Sequence, residues 1–367
     1  MTQSITLRPE EKAMLSLRSL YASYGYTPFK MTKFEEYDLY VRNKNFLLSD
    51  HIITFTDTDG KLMALKPDVT LSIVKNSKDT ADTCHKVYYS ENVYRVSGKS
   101  GSYREIMQTG LECLGDVDTY CLSEVLTLAV KSLEELSADS ILAVSDLDIV
   151  SEAIALTGAS YAAQKKLLTC VGEKNRHGID EVLREEGIDT TAGNLLKALL
   201  SLSGTPKEVF SALSSLDLPD SMQALTKRFA KLLQLVPSDR VRIDFSTVSD
   251  LRYYNGIVFK GFVKNIPTDI LSGGQYDKLM QKMGRESRAV GFAVYLDLLE
   301  DLNRTRRDYD YDTVILYNEE SDPSTVAETR DTLVQKGERV IAVKKLPQGI
   351  ICRHTVVVEK SEVKTLV

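Results

Sequence analysis

The segment from Tyr103 to Gly115 alternates polar and apolar residues, which predicts a β-strand whose two faces differ in character. One face carries Arg104, Ile106, Gln108, Gly110 and Glu112, and the other carries Met107, Thr109, Leu111 and Cys113. Buried charges are costly unless they are paired, so the first face either lines a cleft, meets a partner or is solvated. Gly110 weakens the strand but would allow another group to approach the backbone closely. The strand alone supports a binding site and a solvated face equally well.

Three other segments supply polar residues that could join this face. A strand that ends near Arg95 would form a hairpin with 103–115 and set Arg95 near the side that carries Arg104 and Gln108. Tyr254 lies on a third predicted strand, while Asp68 and Thr70 follow a strand at the start of a helix, where helix capping is the simpler explanation for both. Carboxylates suit an ammonium, an arginine suits a carboxylate, and a tyrosine with a glutamate suits a polar side chain. Together these groups fit a zwitterionic amino acid.

The elements that must position these residues indicate an α+β fold. Hydrophobic periodicity and turn signals predict helices at 9–24, from Ser123 to about 136, at 276–283, 293–302 and 323–335, and strands at 52–57, 61–67, 85–96, 103–115, 240–246, 253–262, 269–274, 312–318, 338–345 and 354–360. Short leucine-rich segments with glycine and proline breaks predict a helical insertion at about 151–235. We therefore divide the chain into an antiparallel sheet core with flanking helices at 1–305, which includes the insertion, and a small C-terminal α/β piece at 306–367.

Composition restricts the classes of partner. The net charge is −6 and the pI is near 5.5, without the basic stripe that is typical of nucleic-acid binding. The cysteines and histidines lack the paired spacing of metal motifs. The first residues do not resemble a secretory signal, and no apolar stretch is as long as a membrane span. We expect a soluble cytoplasmic protein with no metal, cofactor, nucleic-acid or membrane partner.

Several segments resemble motifs of class II aminoacyl-tRNA synthetases in their histidyl form. Tyr94–Glu112 is similar to motif 2, and Asp250–Phe259 is similar to the histidyl-specific R-G-L-D-Y-Y-x-x-T-V-F segment. Ser272–Asp277 followed by Ala289–Ala293 resembles G-G-G-R-Y-D … A-V-G-F-A, which leads into motif 3, and Lys66–Thr70 resembles the R-P-E-G-T loop. The resemblance runs in consistent order from residue 1 to about 305.

The resemblance implies a histidine-binding pocket. In the family the R-P-E-G-T loop and the motif 2 glutamine hold the amino group, while a glutamate and a tyrosine contact the imidazole. Carried over position by position, the pocket comprises Asp68, Thr70, Arg95, Gln108, Glu112, Tyr254 and Tyr276.

The chain departs from the family at the positions that handle ATP. Ser249 replaces the arginine that stabilises the α-phosphate, and Leu298 replaces the motif 3 arginine that clamps ATP. Thr32 stands at the motif 1 proline, and the R-x-E of motif 2 reads Arg95-Val96-Ser97. Adenylate formation depends on positioned cations, so we expect no catalysis. The C-terminal piece also looks too short for the family's complete anticodon-binding domain.

A preserved amino-acid site without an ATP site resembles the regulatory subunits of ATP phosphoribosyltransferase, which are paralogues of histidyl-tRNA synthetase. That resemblance implies a class II-type dimer within a hetero-octamer, activation of a short catalytic subunit, and histidine as the feedback effector of histidine biosynthesis. Two alternatives stay open: a synthetase-like histidine- or tRNA-binding protein of other function, and an active histidyl-tRNA synthetase.

Overall fold

The computed structural model describes residues 7–43, 52–77, 83–96, 101–248, 254–299 and 309–366. The chain divides into two compact units, one comprising Pro9–Leu299 and the other containing the described C-terminal residues 309–366. Among the described residues, no helix combines the length and the apolar character that a membrane span requires.

The unit Pro9–Leu299 contains a nine-stranded sheet and a separate, small three-stranded sheet. Its strands are β1 (Thr27–Pro28), β2 (Phe34–Glu36), β3 (Thr54–Thr56), β4 (Leu62–Leu65), β5 (His85–Val96), β6 (Tyr103–Gly115), β7 (Ser140–Asp146), β8 (Ser203–Gly204), β9 (Val241–Asp244), β10 (Asn255–Val263), β11 (Leu271–Gln275) and β12 (Arg288–Tyr295). The large sheet has the order β1-β5-β6-β12-β11-β10-β7-β9-β8, and the small sheet has the order β2-β4-β3. Neighbouring strands are antiparallel except for β1 with β5 and β7 with β9, so the antiparallel core that the sequence indicates is present.

Helices flank the large sheet and fill the segment between β7 and β9. They are α1 (Pro9–Ser23), α2 (Tyr37–Arg42), α3 (Thr70–Asn76), α4 (Thr119–Leu136), α5 (Leu147–Ala155), α6 (Tyr161–Gly172), α7 (Arg176–Glu185), α8 (Asn194–Ser201), α9 (Pro206–Ser214), α10 (Asp220–Gln234) and α11 (Asp277–Lys282). The predicted helical insertion corresponds to α5–α10, although β8 within it pairs with β9 at the sheet edge.

β5 and β6 have the bounds that their alternating pattern predicts, and β12 is the next strand beside β6 in the sheet. Their antiparallel register places Val87 opposite Glu112, Glu91 opposite Gln108, and Arg95 opposite Arg104. Every residue of β6 from Gln108 onward is buried. The polar face of this strand is therefore enclosed by protein along half of its length.

Two predicted boundaries are wrong. The helix predicted at 293–302 is wrong over 293–298, because Arg288–Tyr295 is a strand, β12, paired with β6 and β11, followed by a 3₁₀ turn at Leu296–Leu298. Residues 300–302 of that prediction lie outside the described residues. A central strand is apolar on both faces, so its sequence cannot be told from a buried helix by periodicity. Ser123 lies inside α4 rather than capping it, since Asp118 accepts the Cys121 N–H at 2.9 Å and caps the helix.

The C-terminal unit is a four-stranded sheet with one helix. Its elements are β13 (Tyr311–Tyr317), α12 (Pro323–Gln335), β14 (Val340–Val343), β15 (Cys352–Glu359) and β16 (Glu362–Leu366), and its strand order is β14-β13-β15-β16. β16 was not predicted. The small α/β piece expected at the C-terminus therefore forms a sheet with its own core, Ile315, Val356 and Val358.

Candidate functional site

All seven residues singled out in the sequence line one cavity of the unit Pro9–Leu299. The cavity is enclosed by Asp68, Val69, Thr70, Tyr89, Arg95, Gln108, Glu112, Tyr254, Ser272, Tyr276, Gly291, Phe292, Ala293 and Tyr295. These residues come from β5, β6, β11, β12, the start of α3 and the ends of two loops. Arg104, on the same face of β6, is exposed and does not line the cavity.

A hydrogen-bonded group of three side chains lies at the base of the cavity. Thr70 Oγ1 donates to Glu112 Oε1 at 2.9 Å, and the Tyr276 hydroxyl donates to Glu112 Oε2 at 2.6 Å. Burial raises the pKa of Glu112 to about 8, although both donors oppose this rise by stabilising the carboxylate. Its two oxygens have fixed positions, because each accepts one of these hydrogen bonds.

The loop that carries Asp68 is held against β5 by three contacts. Lys66 is fully buried and pairs with Glu91, the Tyr94 N–H donates to the Lys66 carbonyl at 2.9 Å, and Arg95 Nε donates to the Pro67 carbonyl at 3.0 Å. A buried lysine is tolerated only when it is paired in this way. These contacts fix the carboxylate of Asp68 relative to the polar face of β6.

Asp68 and Arg95 provide opposite charges in the cavity. Asp68 Oδ1 accepts the Leu71 N–H at 2.9 Å, so the capping role that its position suggests is present in addition to its place in the lining. Burial raises the pKa of the Asp68 carboxyl, while this hydrogen bond and the Arg95 guanidinium oppose the rise. Thr70 makes no such cap and instead donates to Glu112.

Gln108 and Tyr254 complete the polar lining of the cavity. Gln108 is buried on β6 and lies opposite Glu91 of β5 and Tyr295 of β12. Tyr254 immediately precedes β10, and burial raises the pKa of its hydroxyl well above the usual value. Both side chains are therefore uncharged hydrogen-bonding groups.

Two glycines provide the space that Glu112 and its surroundings occupy. A Cβ on Gly291, which faces Glu112 across β6 and β12, would overlap the Glu112 carboxylate and the Leu111 carbonyl. A Cβ on Gly110 would overlap the Phe292 carbonyl and lie 2.6 Å from the Tyr89 hydroxyl oxygen. The close approach proposed for Gly110 therefore occurs, but the neighbours are protein atoms.

The cavity is narrow. Its free volume for water-sized molecules is about 30 Å³, which is room for about two waters.

Sequence reasoning missed Tyr89, Ser272 and Tyr295 as members of the lining. Tyr89 is on β5 opposite Gly110, so the period of two and the hairpin register could have identified it. Tyr295 was assigned to a helix, and this error concealed its position opposite Gln108. Burial raises the pKa of the Tyr295 hydroxyl, while the nearby Arg95 opposes the rise.

The described residues include two of the four positions that depart from the synthetase motifs. Leu298 is a half-buried residue of the 3₁₀ turn after β12, and an apolar side chain there cannot clamp a phosphate. Thr32 is exposed. Ser249 and Ser97 lie outside the described residues.

A large, mainly antiparallel sheet that carries a polar pocket on its central strands is the architecture of the class II synthetases. A sequence model described as histidyl-tRNA synthetase matches residues 6–299. The chain belongs to the histidyl-tRNA synthetase family.

Individual proteins agree with this assignment. An ATP phosphoribosyltransferase regulatory subunit of Alkaliphilus metalliredigens is 26% identical over 283 residues, covering 74% of this chain and 71% of the relative. The crystal structure of an ATP phosphoribosyltransferase regulatory subunit/histidyl-tRNA synthetase from Bacillus halodurans is similar with a TM-score of 0.70 and 23% identity, over 91% of this chain and 88% of that one. A chain of the ATP phosphoribosyl transferase (HisG:HisZ) complex from Thermotoga maritima is similar with a TM-score of 0.61 and 20% identity, over 78% of this chain and 97% of that one.

Proposed function

We propose that this chain is the histidine-binding regulatory subunit of an ATP phosphoribosyltransferase and that it has no catalytic centre of its own. The observation that carries the proposal is the contrast between two parts of one site. The residues matching the family's amino-acid pocket converge on a single cavity, whereas Leu298 stands where the family places the arginine that clamps ATP.

The lining of the cavity is complementary to histidine in charge and hydrogen bonding. In our assignment Asp68 and Gln108 bind the ammonium group and Arg95 binds the carboxylate. Glu112, Tyr254 and Tyr276 contact the imidazole, whose two nitrogens need one donor and one acceptor when it is neutral. Thr70 and Tyr276 support this role because each donates to one oxygen of Glu112.

The relatives support the regulatory part of the proposal. The Alkaliphilus metalliredigens protein is named as a regulatory subunit, and the Thermotoga maritima structure is that of a complex between HisG and HisZ chains. We infer that this chain forms a dimer, that it joins a short catalytic subunit in a hetero-octamer, and that it acts in the cytoplasm without tRNA or a membrane as partner.

The narrow cavity supports a regulatory mechanism based on two conformations. We infer that the lining side chains adopt two arrangements and that histidine binds one of them better than the other. A partner that prefers one of those conformations is then coupled to histidine, typically by about 1–3 kcal/mol.

The experiment is reconstitution with the cognate short catalytic subunit. Adding this chain is expected to raise the rate of phosphoribosyl transfer, and histidine is expected to lower it again. Glu112→Gln should weaken the inhibition and leave most of the activation. The matched control is Glu105→Gln, which changes an exposed carboxyl on the same strand.

Two results would contradict the proposal. If the short subunit is equally active and equally sensitive to histidine with and without this chain, the regulatory role is wrong. If the chain catalyses histidine-dependent exchange between ATP and pyrophosphate, it is a synthetase despite Leu298.

A further inference from the structure

Three of the five cysteines converge although their spacing in the sequence gives no indication of it. The Sγ atoms of Cys84, Cys113 and Cys121 all lie within 4.8 Å of one another, and Cys84 Sγ is 3.5 Å from Cys121 Sγ. Cys113 is fully buried, Cys121 is buried and Cys84 is half-buried. The group is thus sheltered by protein and can be reached at Cys84.

The fold places each sulfur from a different element. Cys113 is on β6, one residue after Glu112, so it faces away from the histidine cavity. Cys121 is in the first turn of α4, which Asp118 caps. Cys84 precedes β5, and Gly115 allows it to come close, because a Cβ on Gly115 would overlap the Thr83 carbonyl and lie 3.2 Å from the Cys84 Cα.

Two of the three sulfurs lie near the same carbonyl oxygen. Cys84 Sγ donates to the Asp116 carbonyl at 3.0 Å, and Cys121 Sγ lies 4.0 Å from the same oxygen. Three thiol groups and a carbonyl oxygen are therefore directed at one small region between β6 and α4.

We propose that Cys84, Cys113 and Cys121 form a binding site for a thiophilic divalent cation of the zinc class. A zinc–sulfur bond of about 2.3 Å in tetrahedral geometry places two sulfurs about 3.8 Å apart. The separations between the three sulfurs therefore need to change by about 1 Å or less, which side-chain rotation can supply. The fourth position is left for water or a small ligand.

Metal binding changes the charge of the site. Binding replaces three S–H protons with three metal–sulfur bonds and releases three protons to solvent, so a divalent ion with three thiolates carries a net charge of −1. Lys86 lies opposite Cys113 across β5 and β6. Its ammonium is already paired with Glu124 at 2.6 Å, so it offsets only part of that charge.

A disulfide between Cys84 and Cys121 accounts for the cluster less well. It would use two of the three sulfurs and leave Cys113 without a role. A metal ion, in contrast, can bind all three sulfurs and displaces their protons as it binds.

The test is a titration of the reduced, chelator-treated full-length chain with Cd²⁺, whose thiolate complexes absorb in the ultraviolet, followed by competition with Zn²⁺. We expect one Cd²⁺ per chain, displaced by Zn²⁺. Cys84→Ser should weaken the affinity for Cd²⁺ more than about tenfold. Loss of a residue that only hydrogen-bonds to a metal ligand already costs about that much, and Cys84 would be a ligand itself. The matched control is Cys352→Ser, because Cys352 is also half-buried but lies outside the cluster.

A second measurement does not depend on a variant that folds. Bound Zn²⁺ should protect Cys84 from alkylation in the parent chain, as mapped by peptide mass, and leave Cys352 unprotected. The proposal is wrong if the parent takes up no stoichiometric metal or if Cys84→Ser binds the metal as tightly as the parent does. It is also wrong if the parent, as isolated, has a mass lower by the two hydrogens that a disulfide loses.

Discussion

The clearest test of the site is to replace Glu112 by glutamine and follow stability against pH. Glutamine has the shape of a protonated glutamate and carries no charge at any pH. Because burial raises the pKa of Glu112 from 4.5 to about 8, the parent holds a neutral carboxyl in acid and a buried carboxylate in base. The variant should match the parent at low pH and become more stable than the parent at high pH.

The magnitude follows from the shift in proton affinity. The folded chain binds this proton more tightly than the unfolded chain, so protonation stabilises the fold fully below about pH 4.5 and the stabilisation is lost as the pH rises through about 8. Each pKa unit is worth about 1.4 kcal/mol. Between pH 5.5 and 8.5 the parent should therefore lose about 3 kcal/mol relative to Glu112→Gln, which is about 5 °C in the difference between their melting temperatures.

Scanning calorimetry of both proteins without ligand at the two pH values measures this difference, and all other titrating groups cancel in the comparison. Glu105→Gln serves as the control, because its exposed carboxyl accepts from Asn92 and Tyr94 at the surface. A parent-to-variant difference that is equal at both pH values would refute the assignment of a buried, neutral Glu112.

Three further outcomes are expected. Gly291→Ala should push the Glu112 carboxylate aside and reduce the histidine affinity measured by calorimetry more than about tenfold. The control Gly261→Ala crowds core side chains elsewhere, so it should cost about 1–3 kcal/mol of stability and keep histidine binding. Equal histidine affinities in the two variants would contradict the role of Gly291. Tyr276→Phe removes the 2.6 Å hydrogen bond to Glu112 and should weaken histidine binding by about 1 kcal/mol. Tyr103→Phe changes an exposed tyrosine and should have no effect on histidine binding. Similar losses of affinity in both variants would contradict a specific role of Tyr276. No histidine-dependent exchange between ATP and pyrophosphate should exceed background, because Leu298 supplies no cation, and a measurable rate would show that another group does.

Local sequence patterns predicted the long hairpin and several helix boundaries well. The alternation over 85–96 and 103–115 gave β5 and β6 with their observed bounds, and α12 has the predicted bounds 323–335. The hydrophobic period of each of these elements is visible within one continuous segment, so the local sequence is enough to predict their bounds. The class II synthetase-like fold is also confirmed by the family match.

The errors have a common physical cause. β12 is enclosed by β6 and β11, and its apolar character on both faces concealed its period. Asp118 rather than Ser123 begins α4, because either residue type can cap a helix and the choice depends on where the preceding strand ends. β16 pairs only with β15, and its edge position left a weak pattern.

The sequence by itself indicated seven residues of the candidate pocket, because the motifs keep their order and the faces of β6 follow from a period of two. That these residues bind histidine stays a prediction. Only the tertiary structure decided how they meet: Thr70, Glu112 and Tyr276 are separated by 42 and 164 residues in the chain, yet their side chains share hydrogen bonds. The same holds for Cys84, Cys113 and Cys121, whose convergence requires a strand, a helix and the close approach at Gly115. Contacts between distant segments depend on sheet order and packing, and a one-dimensional pattern contains the period of each element but not the neighbour that it acquires on folding.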